Sequence, residues 1–141
     1  MSLQLNCFIM LDGHAEEAIE FYEKSLGAKI LFKQTLGEGP ENPDNPLSAD
    51  EKKRIAHSVL HVGETEIMVS DTAPGQPLQR GNQVNICITT SDTEVSKQIY
   101  TALQQDGQID LPLEATYFSP AYGMITDKFG VTFQIFTKRP Q

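Results

Sequence analysis

The sequence predicts an α+β fold in which one βαβββ module occurs twice within a single domain. Three observations predict it. The same order of strands and helix recurs in both halves. Each half has one amphipathic helix with a tyrosine at a matching place, Tyr22 and Tyr100. Each helix is followed closely by a glycine, Gly27 and Gly107. The match of AEEAIEFY with TEVSKQIY is weak alone and gains its weight from the shared element order.

Leu3 to Met10 reads as the first strand. A helix follows from about His14 to Ser25, with Ala15, Ala18, Ile19, Tyr22 and Leu26 on one stripe at helical spacing. Gly27 stops it at the position where helices commonly end in a left-handed residue. Ala28 to Thr35 is the second strand. Arg54 to Val62 and Glu64 to Asp71 form a hairpin about Gly63. The first module thus runs from Leu3 to Asp71, and Thr72 to Asn82, rich in proline and glycine, is a linker.

The second module runs from Gln83 to Thr137. Gln83 to Thr89 alternates Val84, Ile86 and Ile88 with Gln83, Asn85 and Cys87, as a strand does. Asp92 is placed to cap a helix reaching about Gln105, with Val95, Ile99, Ala102 and Leu103 on its apolar stripe. Strands follow near Gln108 to Tyr117, Tyr122 to Thr126 and Val131 to Thr137. Gly130 stands where a tight hairpin needs positive φ.

Composition narrows the function. The 141 residues suffice for one domain with its own core, and 39% hydrophobic with 21% charged residues is ordinary for a globular chain. A net charge of −8 disfavours nucleic acid and anionic membrane as partners, since both need a cationic face. The one basic run, Lys52-Lys53-Arg54, has Asp50 and Glu51 beside it. No segment reaches the ~20 apolar residues of a membrane span, and none reads as a secretory signal. Cys7 and Cys87 lack metal-motif spacing and read as two reduced, buried thiols in a cytoplasmic protein.

Each helix must cover one sheet face, which uses one set of alternating strand side chains. The other set, phased on this pattern, comprises Cys7, His57, Val59, His61, Met68, Gln83, Asn85, Cys87, Thr132 and Gln134. Its mixed polarity suits a cleft, enclosed by the two modules, for a small polar or amphipathic ligand. A sheet that simply wets its outer face is the alternative.

Several segments carry a family resemblance. Ile67 to Asp71 (IMVSD) and Asp127 to Phe133 (DKFGVTF) are short apolar strands bounded by turn aspartates. With Ile55-Ala56-His57 and the helix AEEAIEFYEKSLGAKI, Ala15 to Ile30, they resemble the PhnB-like branch of the glyoxalase/bleomycin-resistance/dioxygenase superfamily, also called vicinal oxygen chelate. The resemblance covers nearly the whole chain in order. It implies a glyoxalase-like fold, a cupped mixed sheet with helices outside, and a homodimer, the commonest soluble assembly.

It also implies a question about metal. Enzymes of this superfamily hold a divalent ion with His, Glu or Gln from the first and last strand of each module, and the ion stabilises developing negative charge. Those positions fall here at or near Cys7, Met68, Gln83 and Gln134. A thioether suits a hard cation poorly and neither amide brings charge, so no cofactor is expected, a weak divalent metal being the alternative. His57 and His61 do not replace the set, because four strand residues span ~13 Å. His57, in the IAH segment, is expected in the cleft; a hydrogen-bonded structural role is its competing reading.

Other chemistries find no support. There is no G-x-S-x-G elbow for a hydrolase, and Gly37 and Gly39 lead into Pro40, Pro43 and Pro46 and not a phosphate-binding helix. The branch often carries a demethylubiquinone methyltransferase label, but no glycine-rich strand-to-helix turn is present. Two functions remain: a binding module that holds a small molecule without turnover, and a metal-dependent isomerase, lyase or related enzyme on a small oxygenated metabolite. Site residues expected in either case are His57, His61, Met68, Gln83, Asn85 and Gln134. Leu36 to Lys53 is too long for an ordinary connection and reads as a mobile flap near the cleft mouth.

Overall fold

The eight strands divide into two four-stranded mixed sheets with the same internal order, β1-β4-β3-β2 and β5-β8-β7-β6. A computed structural model describes residues 2–140. Two compact units meet at Gln79 and Arg80, inside the expected linker, and each carries one sheet. The repeated strand order bears out the duplicated module.

The first unit contains β1 (Cys7–Leu11), α1 (Ala15–Leu26), β2 (Lys29–Thr35), α2 (Ala49–Lys52), β3 (Ile55–Val62) and β4 (Thr65–Asp71). β4 is interior, parallel to β1 and antiparallel to β3. α1 lies against β3 and β4 and buries Ala15, Ala18, Ile19 and Tyr22, the stripe expected from the sequence. Opposite them Ile9, Leu11, Leu60 and Val69 are almost wholly buried. Burial of such side chains contributes roughly 1.5–3 kcal/mol each.

Asp71 ties this unit together. Its Oδ1 accepts from the backbone N–H of Gly13 at 2.7 Å and of Ala15 at 3.1 Å, and its Oδ2 accepts from that of Ile55 at 2.9 Å. The end of β4 therefore caps the start of α1 and anchors the start of β3. Arg54 continues the tie, donating to the carbonyl of Thr72 and pairing with Asp12 at 2.9 Å.

The second unit contains β5 (Ile86–Thr90), α3 (Thr93–Leu103), β6 (Gln108–Glu114), β7 (Tyr122–Thr126) and β8 (Thr132–Thr137). Asp92 caps α3 through the N–H groups of Glu94 and Val95. Phe133, Ile135, Ile125 and Leu103 form the core on the α3 side. The Tyr100 hydroxyl donates to the Leu111 carbonyl at 2.9 Å, and burial, then the nearby Asp110 charge, push its pKa up.

The two helix-ending glycines are not equivalent. Gly27 takes a left-handed φ of 67°, and its N–H reaches the Tyr22 carbonyl. After α3 the left-handed residue is Asp106, at φ 59°. Gly107 serves close approach instead, since a Cβ there would meet the Thr126 carbonyl oxygen at 2.5 Å. Gly130, at φ 88°, turns β7 into β8 as expected.

Four expectations need correction. β1 begins at Cys7 and not Leu3, and β5 begins at Ile86 and not Gln83, where ladder pairing with Ile67 and Phe133 starts. Cys87 is exposed, so only one of the two thiols is sheltered. Cys7 points to the α1 side, because in register with Ile67 it shares the parity of Ile9 and Leu11. Burial there pushes its thiol pKa up.

Candidate functional site

In each unit the helix leaves one sheet face open to other uses, and most of the expected site residues stand on those two faces. On the first, Phe8 of β1 is in register with Met68 of β4, and Met68 with Val59 of β3. Across the next ladder Val59 faces Phe32 and His57 faces Gln34. The imidazole of His57 stacks with Phe8, ring centroids 5.9 Å apart, and lies 6.1 Å from Phe32. Phe8 and Phe32 are 49% and 47% exposed, so this is an apolar, aromatic surface open to a ligand.

His61 shares the parity of His57 but not its surroundings. It stands between Lys29 and Glu66 in register, one turn of the pleat beyond Val59. The two histidines do not converge. Ser70, in register with Met10, lies on the same face at 2% exposure, and its Oγ has no hydrogen-bond partner among the described residues. Buried hydroxyls normally have one.

On the second unit's face, Gln134 is the centre. Its Nε2 donates to Asn85 Oδ1 at 2.9 Å, and its Oε1 accepts from the Tyr122 hydroxyl at 2.7 Å. Cys87 stands in register with Gln134, and Thr132 is buried and bonded to Thr126. Phe118 completes the surface, parallel to Phe136 at 6.1 Å and edge-on to Tyr122 at 4.9 Å. Arg139 fixes the segment before Phe118 by donating to the carbonyls of Thr116 and Tyr117.

Gln83 does not belong here. It lies exposed in the bend before β5, and Asn85 is the residue that reaches Gln134. Phe8, Phe32, Tyr122, Phe118 and Phe136 also stand on these faces and were not placed there by sequence reasoning. Fixing the phase of β1 on Ile9 and Leu11 would have put Phe8 on the open face.

The donor chemistry can be tested unit by unit. The first- and last-strand positions that share a face are Phe8 with Met68 and Cys87 with Gln134. The first pair has no nitrogen or oxygen donor. In the second, Gln134 already spends both ends of its amide on neighbours. Cys7, whose thiolate would suit zinc, faces α1 with its pKa raised. No group of three His, Cys, Asp or Glu side chains converges among the described residues. These side chains do not fit a divalent metal.

Comparison with known proteins agrees with this architecture. The profile of the Glyoxalase/Bleomycin resistance protein/Dioxygenase superfamily matches residues 4–135. The chain is 28% identical to protein YjdN of Escherichia coli K12 over 140 residues, 94% of each chain. The crystal structure of PA1353 from Pseudomonas aeruginosa is similar with a TM-score of 0.87 at 28% identity, over 99% of this chain and all of that one. A PhnB protein from Bacillus cereus, named for 3-demethylubiquinone-9 3-methyltransferase activity, is similar at TM-score 0.78 and 25% identity, over 96% of this chain and 99% of its own.

Proposed function

Because the chain belongs to the glyoxalase/bleomycin resistance protein/dioxygenase superfamily, we propose that it binds a small molecule against the helix-free faces of its sheets, without a tightly held metal. One observation carries the reading. Where a superfamily enzyme needs its first pair of metal ligands, this chain has the in-register pair Phe8 and Met68, with His57 stacked on Phe8. That arrangement discards ion binding and builds an apolar, aromatic contact surface.

The ligand chemistry follows. An unsaturated or aromatic ligand stacks on Phe8, His57 and Phe32 of the first unit's face; the second unit's face separately offers the rings of Phe118 and Phe136. The methyltransferase in the name of the Bacillus cereus protein does not transfer easily. The turn from β1 into α1 is Asp12-Gly13-His14, with a single glycine, and forms no cradle for a nucleotide cofactor.

A homodimer belongs to the same reading, supported by Leu3, Leu5, Val84 and Tyr117, each at least 86% exposed. Light scattering at micromolar concentration that gave a monomer mass would remove it.

The deciding experiment is elemental analysis of protein purified without a histidine tag, followed by a double substitution, Phe8→His with Met68→Glu. The purified protein should contain no stoichiometric divalent ion, and the double variant should gain one. Stoichiometric metal in the unaltered protein would overturn the reading in favour of a metal-dependent enzyme.

A further inference from the structure

The connection from β2 to β3, the flap expected from the sequence, has a defined set of contacts. It is fastened at four places. At the start, Glu38 Oε1 accepts from both the N–H and the hydroxyl of Thr35, at 3.0 and 2.9 Å, which holds the Glu38 carboxyl below its ordinary pKa. The Leu36 N–H donates to the Arg54 carbonyl at 2.8 Å. In the middle, Asn42 closes a turn with the N–H groups of Asp44 and Asn45. At the end, Ser48 and Glu51 cap α2 reciprocally. Gly37 lies so close to α2 that a Cβ there would stand 2.9 Å from the Lys52 Cβ.

So fastened, the connection walls a cavity of about 590 Å³ with the ends of β2 and β3. That size lies within the roughly 300–1,000 Å³ of small-molecule sites. Leu36, Pro43 and Leu47 give it an apolar lining, and Gln34 stands on its wall with no side-chain hydrogen bond among the described residues. Gln34 is also the register partner of His57; the rest of the lining, apart from Thr35 and Ala56, belongs to residues 36–52.

Two charges of opposite sign line the same cavity, Lys52 and Glu41. Neither is in an ion pair among the described residues. Glu51, next to Lys52 in sequence, accepts from the Ser48 N–H, and Glu38 accepts from Thr35. An anion alone would leave Glu41 opposed to it, and a cation alone would leave Lys52 so.

From this we infer that the cavity is a second binding site, for a small apolar zwitterion of the amino-acid or short-peptide class. Its carboxylate meets Lys52, its ammonium meets Glu41, and its side chain lies on Leu36, Pro43 and Leu47. The fastened walls mean that little ordering is lost on binding.

The test is a titration of the isotope-labelled protein with leucyl-phenylalanine, followed by amide shifts in two-dimensional NMR. Parallel titrations use its N-acetyl form, which keeps only the carboxylate, and its C-terminal amide, which keeps only the ammonium. The dipeptide should shift amides of residues 34–56, and each blocked form should bind about threefold to fivefold more weakly, the scale of one exposed charge contact. Lys52→Met should erase the preference for the free carboxylate and Glu41→Gln that for the free ammonium; both residues are exposed, so neither variant threatens the fold. Leu47→Asp should abolish binding. Equal binding of all three probes, no binding, or shifts centred on Phe8 and His57 would each overturn the inference. His57→Ala separates the two sites: it should weaken ligands of the helix-free face and leave dipeptide binding unchanged.

Discussion

Replacing Asp71 by alanine removes the acceptor of three backbone N–H groups at once. The Gly13 N–H is at an exposed residue and can turn to water, whereas Ala15 and Ile55 are 0% and 1% exposed and cannot. A buried donor left without a partner costs about 1–3 kcal/mol. Two such donors put Asp71→Ala at about 2–6 kcal/mol, against a total stability of about 5–15 kcal/mol for a domain. Asp71→Asn is the informative companion. Its carbonyl oxygen can still accept from Gly13 and Ala15, but its amide nitrogen then faces the Ile55 N–H, donor against donor. It should cost about 1–3 kcal/mol, one unsatisfied donor's worth. Urea unfolding followed by far-ultraviolet circular dichroism gives the totals. Hydrogen exchange of the Ala15 and Ile55 amides separates the two contributions, with Ala15 protected in the asparagine variant and unprotected in the alanine variant. A loss below about 1 kcal/mol for Asp71→Ala would refute the argument, because it would mean those amides find other partners.

Other consequences can be checked more simply. Ser70→Ala removes a buried hydroxyl that has no partner among the described residues, so it should raise stability by up to about 1 kcal/mol, visible as a higher Tm; a lower one would mean that Oγ has a partner in solution. A thiol reagent at neutral pH should label Cys87 quickly and Cys7 slowly in the native protein, since burial raises the Cys7 pKa and keeps it in the unreactive thiol form; equal rates would contradict that placement. Gly107→Ala should destabilise by about 1–3 kcal/mol through collision with the Thr126 carbonyl, while Gly27→Ala, with open space around it, should cost only the left-handed conformation, about 1–2 kcal/mol. The reverse ranking, measured by urea unfolding, would refute the distinction.

What the sequence made legible was local. The stripe Ala15, Ala18, Ile19 and Tyr22, the cap at Asp92, the turns at Gly63 and Gly130, and the paired order of elements all depend on residues within a few positions of one another. The phase of β1 is different. Cys-Phe-Ile-Met-Leu is apolar throughout, so no alternation tells which residues face the helix, and Cys7 took the place that belongs to Phe8. Gln83 failed for another reason: its alternation with Val84 is genuine, but the pairing of β5 with β8 reaches back only to Ile86 and Phe133. The Asp71 ties to Gly13 and Ala15 span 58 and 56 residues and leave no trace in a local pattern. Gln134 and Asn85, by contrast, do share a face, because Phe133 and Ile135 fix the phase of β8 and Ile86 and Ile88 that of the strand beside Asn85.

The interior position of β4 and β8 has a consequence for how the chain is made. Each is the last strand of its unit to leave the ribosome, yet each is the one that both the first and the third strand pair with. β1 therefore waits, unpaired, until β4 has been synthesised, and β5 waits until β8 has been. Before then only the β2–β3 and β6–β7 hairpins can form. Strands that wait expose backbone edges, and long-range parallel pairing closes slowly. A ribosome stalled before Thr132 would hold a second unit with no interior strand and with unpaired strand edges exposed.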